Sequence, residues 1–140
     1  MSHAAAQSTT PPPAAAREIT PGTYLRMRRE AARMTLREAA LCYAHTTAGA
    51  SSAELLLADA EADRAILSAG SLVRLGYAFA FDGEIYQDLV EGLPTPSLCR
   101  VCACSWNLPC EEADHGPCAW TDQSETLCTA CARKMPEAQA

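Results

Sequence analysis

The sequence predicts a mainly α-helical protein in which a small helical bundle precedes a small, stapled Cys-rich module. Apolar residues recur at spacings of three and four between residues 20 and 92, and no alternating strand pattern appears there. Seven of the eight cysteines lie between residues 99 and 131. A module of about 30 to 40 residues has too small a core to fold without a metal or disulfides.

Composition divides the chain into five segments. Residues 1–18 are rich in Ala, Ser, Thr and Pro and have little to bury, so we expect a disordered tail. The helical bundle spans residues 19–92, the linker 93–98 contains two prolines, the Cys-rich module spans 99–132, and 133–140 form a second tail. We therefore expect the helices and the clustered cysteines in separate units.

The first two helices have sequence signals at their starts. Thr20 is suited to cap a helix in which Pro21 takes the first position. Thr35 and Glu38 have capping-box spacing and predict the start of a second short helix. The apolar face of the first helix consists of Tyr24, Met27, Ala31 and Met34.

A third helix is predicted over residues 55–67. Ser51 and Glu54 repeat the capping-box spacing before this Ala- and Leu-rich stretch, and Gly70 is suited to end it. The connection AHTTAGA, residues 44–50, is then long for two neighbouring helices.

Two further helices complete the predicted bundle. Ser71 begins the fourth helix, in the stretch SLVRLGYAFAF. Asp82 is suited to cap the fifth helix, GEIYQDLVEG, which Gly92 ends. The fifth helix has apolar residues on one face only, so we expect that face to pack on the other helices.

Positive charge is concentrated at the start of the bundle. Residues 1–37 contain six Arg and two Glu, a net charge of +4, whereas residues 38–140 contain five basic and fifteen acidic residues, a net charge of −10. The overall charge of −6 disfavours contact with nucleic acid anywhere except the Arg-rich segment. The candidate phosphate contacts are Arg26, Arg29, Arg33 and Arg37. A solvated helix face is the alternative explanation of these arginines.

The segment TYLRMRREAARMTLREAALCYA, within residues 22–44, resembles the opening of lambda-repressor-like helix-turn-helix domains. The resemblance implies a helix-turn-helix-like bundle, in which a short turn leads to a recognition helix that enters the major groove of DNA. Here the third helix and its end carry Glu54, Asp59, Glu61 and Asp63. Because phosphates repel carboxylates, this helix suits base reading only if its acidic side faces away from the duplex.

Cysteine spacing predicts two metal sites in the Cys-rich module. Two Cys-x2-Cys pairs allow four sulfurs to approach one ion from two tight turns, as in a zinc ribbon or treble clef. This outer site comprises Cys99, Cys102, Cys128 and Cys131. Three further cysteines and a histidine provide an inner set of four, Cys104, Cys110, Cys118 and His115. We expect one or two zinc ions per chain, with an iron–sulfur cluster or disulfides as the alternatives.

The stretches CRVCACSWNLPC, GPCAW and LCTACA together resemble a Cys-rich motif at the C-terminal end of small proteins from phages and prophage-bearing bacteria. The resemblance covers residues 99–132 and implies a metal-binding module of phage-related origin. Ala103 stands where the motif usually has Gly. We therefore expect Ala103 to restrict a positive φ between Cys102 and Cys104, which a glycine would allow.

The predicted metal site is structural rather than catalytic. Four thiolates leave no open coordination position and make zinc a weak Lewis acid. The sequence contains no Gly-rich phosphate loop and no GxSxG or HExxH motif, so we expect no enzymatic activity.

Two functions agree with the sequence. The first is a small phage-type transcription regulator that binds duplex DNA and contains a structural zinc module, which also offers a surface for a homodimer. The second is an acidic, zinc-containing adaptor or inhibitor that binds a host protein and does not bind DNA. The N-terminal composition and the lack of an apolar run of about 18 residues predict a cytoplasmic location without membrane contact.

Overall fold

The computed structural model describes residues 18–135, and this part of the chain is mainly α-helical. Its elements are α1 Pro21–Ala31, α2 Leu36–Ala44, α3 Thr47–Glu61, α4 Ala69–Leu75, α5 Gly83–Glu91, the antiparallel strands β1 Glu111–Glu112 and β2 Gly116–Pro117, and α6 Thr129–Lys134. Residues 1–17 and 136–140, which include most of both predicted tails, lie outside the described part. No described helix has both the length and the apolar character that crossing a bilayer requires.

Three of the predicted helix starts are confirmed by their capping hydrogen bonds. The Thr20 hydroxyl accepts a backbone N–H three residues on, at 3.1 Å. Thr35 and Glu38 form both halves of a capping box, with distances of 3.0 and 2.8 Å. The Asp82 carboxylate accepts an N–H of the first turn of α5 at 2.9 Å, and Gly92 ends this helix with a φ of 74°.

The predicted bounds of the third helix are wrong. α3 begins at Thr47, because the Thr46 hydroxyl accepts a backbone N–H of the first turn at 3.1 Å and caps the helix there. It ends at Glu61, short of the predicted end. The connection from α2 is therefore not the long segment 44–50. It consists of two residues, Thr46 and His45, and His45 has left-handed backbone with a φ of 62°.

A different capping residue also moves the start of α4. The Ser68 hydroxyl accepts the N–H of Ser71 at 3.1 Å, so the helix begins before its predicted first residue. Gly70, which was expected to end the third helix, lies in the first turn of α4 instead. Residues 62–67 thus connect α3 to the cap of α4 without helical structure.

Two buried tyrosines tie connecting segments to the core of the bundle. The Tyr24 hydroxyl accepts the N–H of Asp82 at 2.9 Å, and the Tyr86 hydroxyl accepts the N–H of Leu67 at 3.0 Å. Burial raises the pKa of Tyr24 to about 12, so its hydroxyl stays neutral. All five helices of the bundle contribute apolar side chains around these tyrosines, among them Leu25, Ala40, Leu57, Leu75 and Ile85.

α1 and α3 approach each other closely at Gly22. A Cβ at this position would lie 2.4 Å from the carbonyl oxygen of Ala60, so a larger residue would push the two backbones apart. The Asp63 carboxylate accepts the N–H of Gly22 at 2.8 Å and the hydroxyl of Thr20 at 2.6 Å. The start of α1 is thereby fixed on the end of α3.

A buried arginine joins the bundle to the Cys-rich module. Arg28 of α1 donates from Nε to the carbonyl of Ala80 at 3.1 Å and from Nη1 to the carbonyl of Cys102 at 3.0 Å. Next to Cys102, the fully buried Ala103 packs within the same apolar core as the helices. The module is therefore docked on the bundle through α1.

Replacing Arg28 with Ala is expected to lower the free energy of unfolding by about 3 kcal/mol, because two buried carbonyl groups lose a charged donor. Arg26→Ala is a matched control, since Arg26 lies in the same helix and is exposed, and its effect is expected to stay within about 0.5 kcal/mol. Urea unfolding of the full-length variants measures both values. Equal effects would contradict the role assigned to Arg28.

Candidate metal centre

Seven cysteines come together in one cluster at the C-terminal end of the described chain. The tight turn at residues 99–104 provides three of them, the β1–β2 hairpin is flanked by two, and α6 begins with the last two. The members are Cys99, Cys102, Cys104, Cys110, Cys118, Cys128 and Cys131. All are free thiols in the structure, as is Cys42, which lies half-buried in α2 outside the cluster.

The turn at residues 99–104 brings its three sulfur atoms within 4.8 Å of one another. The Ala103 N–H donates to the Cys99 carbonyl at 2.8 Å, and the Cys99 N–H donates to the Cys104 carbonyl at 3.0 Å. The N–H of Val101 lies 3.4 Å from the Cys99 sulfur. Ala103 nevertheless has a φ of 61°, so the alanine does not prevent left-handed backbone between Cys102 and Cys104. A non-glycine residue in this region costs about 1 kcal/mol.

The other cysteines are positioned by similar N–H contacts with sulfur. The Cys118 N–H donates to the Cys110 carbonyl at 2.9 Å, while the Cys110 N–H lies 3.3 Å from the Cys118 sulfur. The Cys128 sulfur accepts the N–H of Cys131 at 3.4 Å and so caps α6. The N–H groups of Cys110 and Cys131 would each stabilise negative charge on the sulfur that they approach.

The thiols form two overlapping groups of four. Within each group all sulfur atoms lie within 4.8 Å of one another; one comprises Cys99, Cys102, Cys104 and Cys128, and the other comprises Cys104, Cys110, Cys118 and Cys128. Three sulfur–sulfur distances are 3.5 Å for Cys102–Cys110, 3.7 Å for Cys104–Cys118 and 3.9 Å for Cys102–Cys128. The cysteines assigned to an outer and an inner site are thus not separated in space.

Two predicted ligands lie outside these groups. The Cys131 thiol neighbours those of Cys99 and Cys102 without joining either four-membered set. His115 is exposed in the turn of the β1–β2 hairpin, where its N–H donates to the Glu112 carbonyl at 3.2 Å. The structure therefore brings the cysteines together but does not bring His115 to them.

The crowded thiols change one another's ionisation. Burial raises the pKa of Cys128 to about 11 and also raises the pKa of Cys110. Hydrogen bonds from the thiols of Cys104 and Cys131 lower the pKa of Cys102 to about 6. Ionising all the thiols at once needs a cation, because neighbouring thiolates repel one another in a buried site.

The donor set matches soft, thiolate-binding metals. Zinc and iron–sulfur clusters both take four thiolates, whereas magnesium and calcium take oxygen ligands. Four sulfurs around an ion leave no position for a substrate or an activated water. The cluster can therefore hold a metal ion that stabilises the module.

A cleft of about 300 Å³ opens beside the cluster, and sequence reasoning did not identify it. Trp106 and Trp120 line it together with Ser105, whose buried hydroxyl has no hydrogen-bond partner among the described residues. The spacing of the two tryptophans carries no periodic signal, so no sequence pattern marks this cleft.

The four candidate phosphate contacts differ in their surroundings. Arg29 donates to the Glu61 carboxylate from Nε at 2.7 Å and from Nη2 at 2.9 Å, and this ion pair raises the pKa of Arg29. Arg26 and Arg33 are exposed. Arg37 is exposed at the start of α2. Arg29 is thus already paired within the protein, whereas the side chains of Arg26, Arg33 and Arg37 are exposed to solvent.

The acidic residues of α3, and Asp63 just after it, have hydrogen-bond or ion-pair partners within the described part of the chain. Glu61 pairs with Arg29, Asp63 accepts from the start of α1, and Asp59 lies 3.0 Å from the Arg64 guanidinium. Glu54 lies 3.5 Å from Arg37, whose Nη1 is equally distant from the Ser51 hydroxyl. Their negative charge is partly neutralised, which reduces the expected repulsion of phosphates.

Comparison of the chain with protein families, curated proteins and solved structures finds no match. The chemistry assigned to the cluster therefore depends on the number and arrangement of its thiols.

Replacing Ser105 with Ala is expected to leave the free energy of unfolding unchanged or raise it by up to about 1 kcal/mol, because the buried hydroxyl is unpartnered. Ser71→Ala is the matched control. The Ser71 hydroxyl lies 2.8 Å from that of Tyr43, and losing this hydrogen bond should destabilise the protein by about 1 kcal/mol. Thermal and urea unfolding compare the two. A larger loss for Ser105→Ala would show that its hydroxyl has a partner.

Proposed function

We propose that this protein is a small DNA-binding transcription regulator of the phage type, in which a structural zinc module stabilises a helix-turn-helix-like bundle. The observation that carries the proposal is the two-residue connection between α2 and α3. Helix-turn-helix motifs join their two helices by short turns of about three to four residues, close to the length found here, and the second helix reads the major groove.

The exposed face at the start of α3 suits a base-reading surface. Four residues on it are small and uncharged: Thr47, Ala48, Ser51 and Ser52 are all exposed. Hydroxyl groups donate to and accept from base edges, and small side chains allow a helix to approach the groove. In recognition helices the N-terminal residues make the base contacts, which is where these four lie.

Arg37 flanks this face from α2. Its guanidinium lies 3.5 Å from the Ser51 hydroxyl, so it stands beside the exposed start of α3. The weak, exposed pair with Glu54 does not prevent a phosphate contact, because such pairs contribute little in water. Arg37 is therefore the phosphate contact that the structure supports most.

Zinc is the metal that we propose for the cysteines. A thiolate-only donor set and the N–H contacts with sulfur are typical of structural zinc sites. The metal would keep residues 99–131 folded and so maintain the surface on which Arg28 anchors the bundle.

A second function, binding of a protein partner, is favoured by an exposed apolar patch. Val73 lies in α4 and Tyr77 in the turn that follows the helix, and they are 66% and 70% exposed. The His45 ring meets the Tyr77 ring edge-on, with centroids 5.9 Å apart. Exposed apolar patches on small proteins often mark contact surfaces.

Purified full-length protein is expected to contain about two zinc ions per chain by elemental analysis. A chelator should first unfold residues 99–131, because metal binding supplies most of the folding free energy of so small a module. Hydrogen exchange with and without chelator locates the change, and the distant helix α3 is the internal control. Iron, sulfide and visible absorption in place of zinc would refute this assignment and indicate an iron–sulfur cluster.

A mixed-sequence DNA duplex should bind the protein at about 50 mM salt, with an affinity that falls as salt rises. Arg37→Ala should reduce the slope of log affinity against log salt by about 0.9, since one phosphate contact is lost. Arg64→Ala is the matched control, because it also removes an exposed Arg paired with a carboxylate of α3 and should leave the slope unchanged. Fluorescence anisotropy with labelled duplex gives both slopes.

The outcome also separates the two functions. No duplex binding by the unaltered protein at low salt would exclude the regulator and favour the protein-binding function. Equal slope changes for Arg37→Ala and Arg64→Ala would mean that α3 does not face the DNA as proposed.

A further inference from the structure

We propose that the seven clustered cysteines form one binuclear metal centre in which both ions share the Cys128 sulfur, and that His115 is not a ligand. This inference rests on the proposed metal-binding function and adds the way in which two ions are held. It replaces two independent sites by one centre.

The number of available donors leads to a shared sulfur. Two tetrahedral ions need eight coordination positions, and the cluster offers seven thiols. His115 was the expected eighth donor, but it is exposed in the hairpin turn and belongs to neither group of close donors. One sulfur that binds both ions supplies the missing position without any further residue.

The two groups and the position of Cys131 together identify Cys128 as the shared ligand. Only Cys104 and Cys128 belong to both four-thiol groups within the described residues, so the sulfur of each lies within 4.8 Å of those of Cys99, Cys102, Cys110 and Cys118. Cys128 differs from Cys104 because it caps the helix that contains Cys131, and its sulfur accepts the N–H of Cys131 at 3.4 Å. An ion that takes Cys131 therefore takes Cys128 with it.

All seven cysteines then have a place. The second ion takes one of the observed groups, Cys104, Cys110, Cys118 and Cys128. The first ion takes Cys99, Cys102 and Cys128 of the other group, with Cys131 in place of Cys104. The two ions then lie close together, because Cys102 and Cys110, which bind different ions, have sulfurs 3.5 Å apart. Each thiol releases one proton when its sulfur binds an ion, so loading the centre exchanges seven protons for two divalent ions.

The surroundings suit the negative charge of such a centre. Two divalent ions and seven thiolates leave a net charge of roughly −3, which a buried site must offset. Backbone N–H groups already approach the sulfurs of Cys99, Cys118 and Cys128 at 3.3 to 3.4 Å. The buried guanidinium of Arg28 adds a full positive charge 3.0 Å from the Cys102 carbonyl. Sharing one sulfur also avoids the eighth thiolate that two separate all-cysteine sites would need.

Cadmium-113 NMR of the full-length protein loaded with cadmium tests the shared sulfur directly. Cadmium takes the same thiolate ligands as zinc. Two nuclei that share one sulfur couple through two bonds, so we expect two resonances of equal intensity, each split by the other. Homonuclear decoupling of one resonance should collapse the splitting of the other.

His115→Ala is the matched variant, because it changes an exposed residue of the hairpin turn and leaves every thiol in place. Its spectrum should keep both resonances and their splitting. Loss of one resonance in this variant, or two unsplit resonances in the unaltered protein, would overturn the shared-sulfur centre while metal binding itself stands. A chain that binds no cadmium would refute the proposed metal site as well, and duplex binding is measured independently of both.

Discussion

The buried guanidinium of Arg28 is the interaction on which the arrangement of the two halves depends. It joins the segment after α4 to the first cysteine turn, through the carbonyls of Ala80 and Cys102. A charged donor in a buried position is tolerated only while its N–H groups have partners. The helices and the cysteine turn must therefore be in place together, which couples the packing of α1 to the folding of the cysteine module.

The fold was predictable where a helix end has a local chemical signal. The caps at Thr20, Thr35 and Asp82 are of this kind, and the structure confirms them. The third helix was mispredicted because a capping box at Ser51 was expected to start it and Gly70 to end it. The chain instead turns at His45 and Asp63, which adopt positive φ angles of 62° each. Asp63 is held there by the start of α1, a tertiary contact that no local pattern contains.

The sequence predicted which cysteines form the candidate site, but it did not predict how their sulfur atoms are grouped in space. Spacing indicates which sulfurs approach an ion in a local turn, whereas the overlap of the two groups depends on how the turn, the hairpin and α6 meet. From the sequence, Arg28 entered only the net charge of residues 1–37. It lies one helical turn after Tyr24, however, and is therefore near the apolar face of α1. A charged residue at such a position is a signal for a buried partner, here Cys102.

The hairpin turn at residues 113–115 is exposed, although the two cysteines that flank the hairpin belong to the buried cluster. The hydrogen bond from the Cys118 N–H to the Cys110 carbonyl already holds the two ends of this hairpin together. Extra residues in the turn would add mainly loop entropy, about 0.6 kcal/mol for each doubling of length. Related chains are therefore free to vary in length between these two cysteines, and an epitope tag inserted there would label the module without displacing a sulfur.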